Sequence, residues 1–243
     1  LEVIRSKAKR RKTKKQKKMT GGKQLKFYGY PQAEHYFIQP VDEHDAGLVV
    51  STAEKLEALC GHQNFCIVTV PVVRWNRDLT PWENPPVFGK ESFGSGAEDT
   101  LNDICAQLIP SIREMTAAGK RSFYLCGYSL AGLFALWSAY QTDVFAGVAA
   151  VSPSVWYPGW TDYAAAHPIK TKQVYLSLGD KEEKAKNRLM ATVGDAIRSQ
   201  YRLLTEAGIS CTLEWNEGNH FIDSDVRMAK GMAWILNRLR EES

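Results

Sequence analysis

The sequence predicts an α/β protein with a mainly parallel sheet covered by helices on both faces, and three observations carry that expectation. From about residue 25 onward, short β-like runs alternate with longer helical patterns, the order that builds parallel sheets. The central runs NFCIVTVPVV and FAGVAAVSPS are apolar almost throughout, as strands buried on both faces are. A chain of 243 residues, 44% apolar and 24% charged, suits one substantial soluble core. The expected organisation is a basic N-terminal tail over residues 1–24 and a single domain over 25–243.

Taken in order, LKFYGY and HYFIQPV read as strands, GLVVSTAEKLEALCG as a helix and NFCIVTVPVV as a strand. Arg74 to Gly96 is a long loop rich in Trp, Pro and Gly, and long ordered loops are often functional. A helix is expected from about Ala97 to Ala118, bent at Pro110 because proline lacks a donor and crowds the preceding turn. SFYLCGYS is a strand, LAGLFALWSAY a helix, and FAGVAAVSPS and KQVYLSLGD two further strands. Lys186 to Ala207 is expected to be helical and to end near Gly208. ISCTLEWNEG is the last strand. A final helix begins near Asp223 or Ser224 with an apolar stripe through Val226, Ala229, Ala233, Leu236 and Leu239.

Charge is unevenly spread. The net charge is +4, yet residues 1–24 alone carry +10, which leaves the rest of the chain at −6. The run KAKRRKTKKQKK buries too little apolar surface to fold by itself and attracts phosphate or anionic lipid. With no basic surface on the body to support it, it reads as a solvated extension, and a nucleic-acid partner is not expected. No apolar run approaches the roughly 20 residues that span a bilayer, and no apolar signal segment is visible, so a cytoplasmic protein without a membrane partner is expected. Cys60, Cys66, Cys105, Cys126 and Cys211 lie in apolar segments without CxxC spacing, which suggests reduced, buried thiols. The DEHD run, Asp42 to Asp45, cannot turn all its side chains toward one ion and reads as the start of a helix. No metal and no cofactor are expected.

The most informative stretch is Gly127-Tyr128-Ser129-Leu130-Ala131, where a buried strand runs straight into a buried helix with a serine at the corner. This pattern matches a nucleophile elbow, the tight turn that lifts a serine hydroxyl clear of the sheet, although Ala131 stands where the usual GxSxG motif has its last glycine. A serine hydroxyl needs a base, and that base needs an acid to orient it. His220, in Gly218-Asn219-His220-Phe221 after the last strand, fits the first requirement. LSLGDKEEK supplies Asp180, Glu182 and Glu183 for the second; Glu182, fourth in a pattern starting at Gly179, is taken first and Asp180 second. The backbone N–H of Leu130 and one from Val41 or Asp42 are candidate oxyanion donors. Tyr128, Trp75, Trp82 and Trp156 are candidate substrate-binding residues, and Trp160 lies near them. For the tryptophans, loop anchoring is an equal alternative.

The motifs RDLTPW (77–82), SGAEDTLNDICAQLIPSI (95–112), GYSLAGLFALW, SPSVW (152–156), LGDKEE and GNHF together resemble the α/β-hydrolase superfamily and, within it, the putative esterase family that includes esterase D-like and enterochelin-esterase-like enzymes. The resemblance covers roughly Tyr36 to Leu239. It implies an α/β-hydrolase fold, with one or two leading strands lacking because the chain before Tyr36 leaves room for a single early strand. It also implies serine esterase chemistry on a small-molecule ester: Ser129 as nucleophile, His220 as general base and acid, Glu182 as orienting carboxylate. Gln39-Pro40-Val41-Asp42 stands where the family's His-Gly pair feeds the oxyanion loop. Acyl transfer by the same serine, or a non-catalytic hydrolase fold whose tail grips nucleic acid, are the alternatives.

Overall fold

The computed structural model describes residues 2–4, 25–61, 64–87, 89–116 and 119–241. The basic run of the tail lies outside these residues. Among the described residues, eight strands form one sheet: β1 (Glu2–Ile4), β2 (Lys26–Gly29), β3 (His35–Val41), β4 (Phe65–Pro71), β5 (Ser122–Tyr128), β6 (Gly147–Val151), β7 (Gln173–Gly179) and β8 (Ser210–Asn216). Their spatial order is β1-β2-β4-β3-β5-β6-β7-β8, and only β2 runs antiparallel to its neighbour β4. Ahead of β3, the expected shortened leading edge consists of two short strands, four residues in β2 and three in β1, one more than sequence reasoning left room for.

The period of two along each strand sorts side chains onto two cores. From β5, Phe123 and Leu125 enter one core while Tyr124, Cys126 and Tyr128 enter the other; in β6, Val148 and Ala150 face one way, Ala149 and Val151 the other. The second core is closed by two long helices, α1 (Glu43–Cys60) and α8 (Ser224–Glu241). The first is closed by α3 (Ala97–Asp103), α4 (Ile109–Met115), α5 (Leu130–Gln141), α6 (Trp160–Ala166) and α7 (Val193–Glu206), and a single turn, α2 (Trp75–Asp78), lies in the loop after β4. Every residue of α5 from Leu130 to Tyr140 is buried, so this helix is the hydrophobic centre of its layer.

Several boundaries depart from the sequence reading. α1 starts four residues early, at Glu43, because Asp42 caps it: the Asp42 carboxylate accepts from the Asp45 N–H at 2.8 Å. The helix expected to bend at Pro110 instead widens just before it, into a π-turn over Ile104–Leu108 that closes with the Ile109 N–H on the Ile104 carbonyl. That turn makes room for a ring that cannot donate to the helix ladder. α7 begins only at Val193, after a 3-10 turn at Met190–Thr192, since Asn187 accepts from the Leu189 and Met190 N–H groups and holds the approach out of the helix. Helix α6 lies between FAGVAAVSPS and KQVYLSLGD, a stretch to which the sequence pattern assigns no element. In α8 the buried face keeps Ala229, Ala233 and Leu236 but runs through Met228, Met232 and Ile235, with Val226 only half-buried; the side chain of Leu239 lies outside the described residues. Arg227, a charged residue, sits inside that buried face at 1% exposure.

Candidate active site

The parallel strands from β3 to β8 bring their C-terminal ends to one rim, and the motif residues lie there. Ser129, between β5 and α5, has φ 58° and ψ −122°, a conformation that costs an L-residue energy and turns its side chain out of the strand. The elbow is tight because strand and helix nearly touch. A Cβ on Gly127 would overlap the Ala131 backbone carbonyl, so glycine is required on the strand side, while alanine is tolerated at 131. The Ser129 N–H donates to the Val151 carbonyl at 3.2 Å and its hydroxyl pairs with the Ser154 hydroxyl at 3.4 Å.

Among the described residues, three non-glycine positions have positive φ: Ser129, Ser152 at 43° and Asp223 at 52°. All three belong to this rim. Ser152 follows β6, and its strained backbone aims its hydroxyl at Glu182 Oε1, 2.7 Å away. Asp223 ends the loop that carries His220.

Glu182 opens a 3-10 turn after β7 and is 8% exposed. Its Oε2 lies 2.6 Å from His220 Nδ1. An ionised carboxylate can only accept, so Nδ1 carries the proton and Nε2 is left as the basic nitrogen. Oε1 accepts from the Gly179 N–H at 2.7 Å, from Ser152 Oγ and from Arg227 Nη1 at 3.1 Å. Burial by itself would raise the Glu182 pKa, but the hydrogen bond and charge of His220, then Ser152 and the Gly179 N–H, hold it below the usual carboxylate range. Asp180 does something else: its Oδ1 accepts from the Gly218 N–H at 2.8 Å and shapes the histidine loop. Glu183 pairs with Arg198 at 2.9 Å, away from the imidazole.

His220 and the elbow are tied together through Tyr128, which donates its hydroxyl to the His220 carbonyl at 2.8 Å and whose ring centroid lies 5.2 Å from the imidazole. The described hydrogen bonds contain no direct Ser129–His220 link; the serine hydroxyl is on Ser154 and the imidazole on Glu182. Asp45, in the first turn of α1, also feels the histidine. Burial, reinforced by the Asp42 carboxylate, pushes Asp45 up to about 6, while His44 and His220 oppose the shift. Leu130 occupies the first position of α5, where backbone N–H groups have no intrahelical acceptor, and Val41 and Asp42 end β3 and cap α1.

A match to the family described as Putative esterase extends over residues 50–210. The chain belongs to that family. The esterase shares its fold with solved structures at low sequence identity. The siderophore hydrolase EstA from Aspergillus nidulans superposes with a TM-score of 0.67 at 20% identity, covering 86% of this chain and 84% of that one. The BES protein from Bacillus cereus superposes at 0.64 and 18% identity over 95% and 99% of the two chains. The enterobactin esterase FES from Shigella flexneri superposes at 0.63 and 14% identity over 88% of this chain and 55% of that one. Comparison with curated protein sequences finds no match. Family membership makes this an enzyme of carboxylic ester hydrolysis on the α/β-hydrolase type of sheet.

Other sequence expectations meet different outcomes. Tyr128 is 6% exposed, and its hydroxyl donates to the His220 carbonyl and accepts from Arg227 Nη1, which braces the histidine loop. The tryptophans anchor loops. Trp82 donates to the Pro158 carbonyl at 2.8 Å, Trp156 is 7% exposed beside Phe93, Trp160 is fully buried and donates to Gln200 Oε1 at 3.1 Å, and Trp75 packs half-buried on the core. Burial pushes the Cys126 thiol far above its usual range and Cys66 up to about 12, which leaves neither a thiolate nucleophile. Among the described residues no group of His, Cys, Asp or Glu is arranged to hold a metal ion, and no helix is long and apolar enough to cross a membrane. Sequence reasoning missed Ser152 and Arg227. SPSVW flagged the neighbourhood of Ser152, but no local signal marks an arginine in an apolar stripe as a site residue.

Proposed function

We propose that the esterase hydrolyses a small-molecule carboxylic ester through an acyl-serine intermediate, with Ser129 as nucleophile, His220 as general base and then acid, and Glu182 as the orienting carboxylate. The observation that carries this reading is the 2.6 Å contact between His220 Nδ1 and Glu182 Oε2, on the rim where Ser129 holds its positive φ. With Nδ1 committed, Nε2 is the basic nitrogen. In the reaction the Ser129 hydroxyl leaves Ser154 for that nitrogen, which takes the proton as Oγ attacks the ester carbonyl. The oxyanion is held by the Leu130 N–H at the start of α5 and by an N–H from Val41 or Asp42. Collapse transfers the proton from His220 to the departing alcohol. Water, deprotonated by His220, then attacks the acyl-serine and releases the carboxylic acid.

Fluorophosphonate labelling followed by peptide mapping tests the nucleophile: the adduct is expected on Ser129 and absent from Ser129→Ala. Turnover retained by Ser129→Ala would reject the assignment. Because structural neighbours include a siderophore hydrolase and an enterobactin esterase, a substrate panel of p-nitrophenyl esters, methyl hydroxycinnamates and siderophore esters is the direct route to the acyl group.

A further inference from the structure

We infer that Arg227 is a positioning residue of the reaction, locking the Glu182 carboxylate and the histidine loop into one unit with Ser152 as its partner. The inference rests on the reading of Ser129, Glu182 and His220 as the catalytic set. Arg227 lies in the first turn of α8 and is 1% exposed, a burial that charged side chains rarely reach unless paired; both of its Nη atoms are paired, while its Nε has no hydrogen-bond partner among the described residues. The two N–H groups of its Nη1 are shared among Glu182 Oε1 at 3.1 Å, Ser152 Oγ at 3.2 Å and Tyr128 Oη at 3.2 Å. Its Nη2 donates to the carbonyls of Glu217 at 2.9 Å and Asn219 at 3.0 Å.

Two consequences follow from that geometry. The two oxygens of Glu182 are divided: Oε1 takes three donors, from Gly179, Ser152 and Arg227, and Oε2 faces His220. Rotating the carboxylate away from the imidazole would break all three bonds at once. The same guanidinium also grips the loop just before His220 by two carbonyls, while the Tyr128 hydroxyl that it contacts holds the carbonyl of His220 itself. A planar fork reaches five oxygens in this arrangement; an ammonium carries the charge without the fork. Ser152 holds a positive φ of 43°, a strained conformation at a hydroxyl that bridges Arg227 and Glu182.

The charges around the pair give the role a signature of its own. Glu182 Oε2, from the turn after β7, faces His220 Nδ1, and Arg227 Nη1 lies 3.1 Å from the other oxygen of the same carboxylate; Asp45 from α1 feels the charge of His220, and Tyr128 from β5 and Tyr175 from β7 feel that of Arg227. Removing the positive charge leaves the carboxylate that faces the imidazole less neutralised, and the acid limb of kcat/KM is expected to move up.

The test measures kcat, KM and active-site burst on a p-nitrophenyl ester across about pH 5 to 9. Arg227→Met is expected to lose about 100-fold in kcat with KM changed by less than about threefold, and to shift the acid limb upward. Arg227→Lys is expected to lose about 10-fold with the limb in place, because the charge survives and the fork does not. Ser152→Ala is expected to lose about 10-fold with the limb shifted upward, since Glu182 loses a donor and keeps more negative charge for the imidazolium. If Arg227→Met fails to fold, the other two variants decide. Folded Arg227→Lys and Ser152→Ala enzymes with wild-type kcat would overturn the role. So would losses accounted for entirely by a smaller burst with an unmoved limb, which is what a purely structural residue produces. Wild-type enzyme that takes no fluorophosphonate on Ser129 sinks the catalytic set itself, and with it this inference, by a separate observation.

Discussion

Two loop regions flank the rim and are held by opposite means. The first joins the loop after β4 to the segment after β6: Trp82, Phe93, Trp156, Tyr157, Trp160 and Tyr163 pack ring against ring, with centroid separations such as 5.2 Å for Phe93 and Tyr157 and 5.3 Å for Trp82 and Tyr163. Its polar tips are paired, Tyr157 Oη to the Trp82 carbonyl at 2.6 Å among them. The second, from Glu217 to Asp223, buries almost nothing of its own. Phe221 is 87% exposed and Ile222 44%, and the loop is fixed by a buried arginine and by Asp180 through its backbone. Aromatic burial supplies stability on one side of the site, whereas a polar network supplies position on the other.

That division can be broken or sharpened. The largest effect is expected for His220→Ala: kcat falls on the order of 10⁴-fold, about 5 kcal/mol in the barrier, while the urea midpoint stays close to wild type. A midpoint that collapses with the activity would place the histidine among the stabilising residues and erase the contrast. Trp160→Ala, on the aromatic side, is expected to cost about 3 to 5 kcal/mol of stability through the cavity left at a fully buried site. Its folded fraction should retain near-native turnover per burst-titrated site.

Asp45→Asn probes the polar side through pH. The folded-state pKa of Asp45 is raised to about 6 from 3.8, so the native state holds an extra proton between those values and stability falls as pH rises through them. The asparagine variant should be more stable than wild type at pH 7 by about 1 to 3 kcal/mol and equal to it below about pH 4. Equal unfolding midpoints for the two proteins at both pH values would remove the electrostatic coupling of α1 to the site. Trp82→Phe keeps the ring contacts and deletes the bond to Pro158, for an expected loss of about 1 kcal/mol in thermal or urea unfolding. Phe221→Ala should change stability by less than about 0.5 kcal/mol, the behaviour of an exposed side chain; a larger loss would show that the histidine loop is held by packing after all.

Much of the site was legible from short-range pattern. The elbow Gly127 to Ala131 could be read because one turn forces small residues to specific neighbours, and GNHF because a histidine after the last strand has few other uses. Among Asp180, Glu182 and Glu183 the sequence ranks Glu182 first by its place in the pattern starting at Gly179, and the contacts separate the three. They lie within four residues of one another, yet Glu182 faces His220, Asp180 caps the Gly218 amide and Glu183 pairs with Arg198. The aromatic side divided similarly: composition marked a tryptophan-rich loop, and only the contacts revealed that Trp82, Trp156 and Trp160 anchor it.

The sequence by itself determined the layered α/β plan, the strand order of the chemistry-bearing loops and the corner at Ser129, because each depends on periodicity or on contacts within a few residues. Only the folded chain shows which carboxylate faces the imidazole, the strained Ser152 and the buried Arg227, whose partners are drawn from β5, the ends of β6 and β7, and the loop before α8. An arginine in an apolar helical stripe looks like a fault in the pattern until the folded chain brings five oxygens to it, and no local rule encodes that convergence.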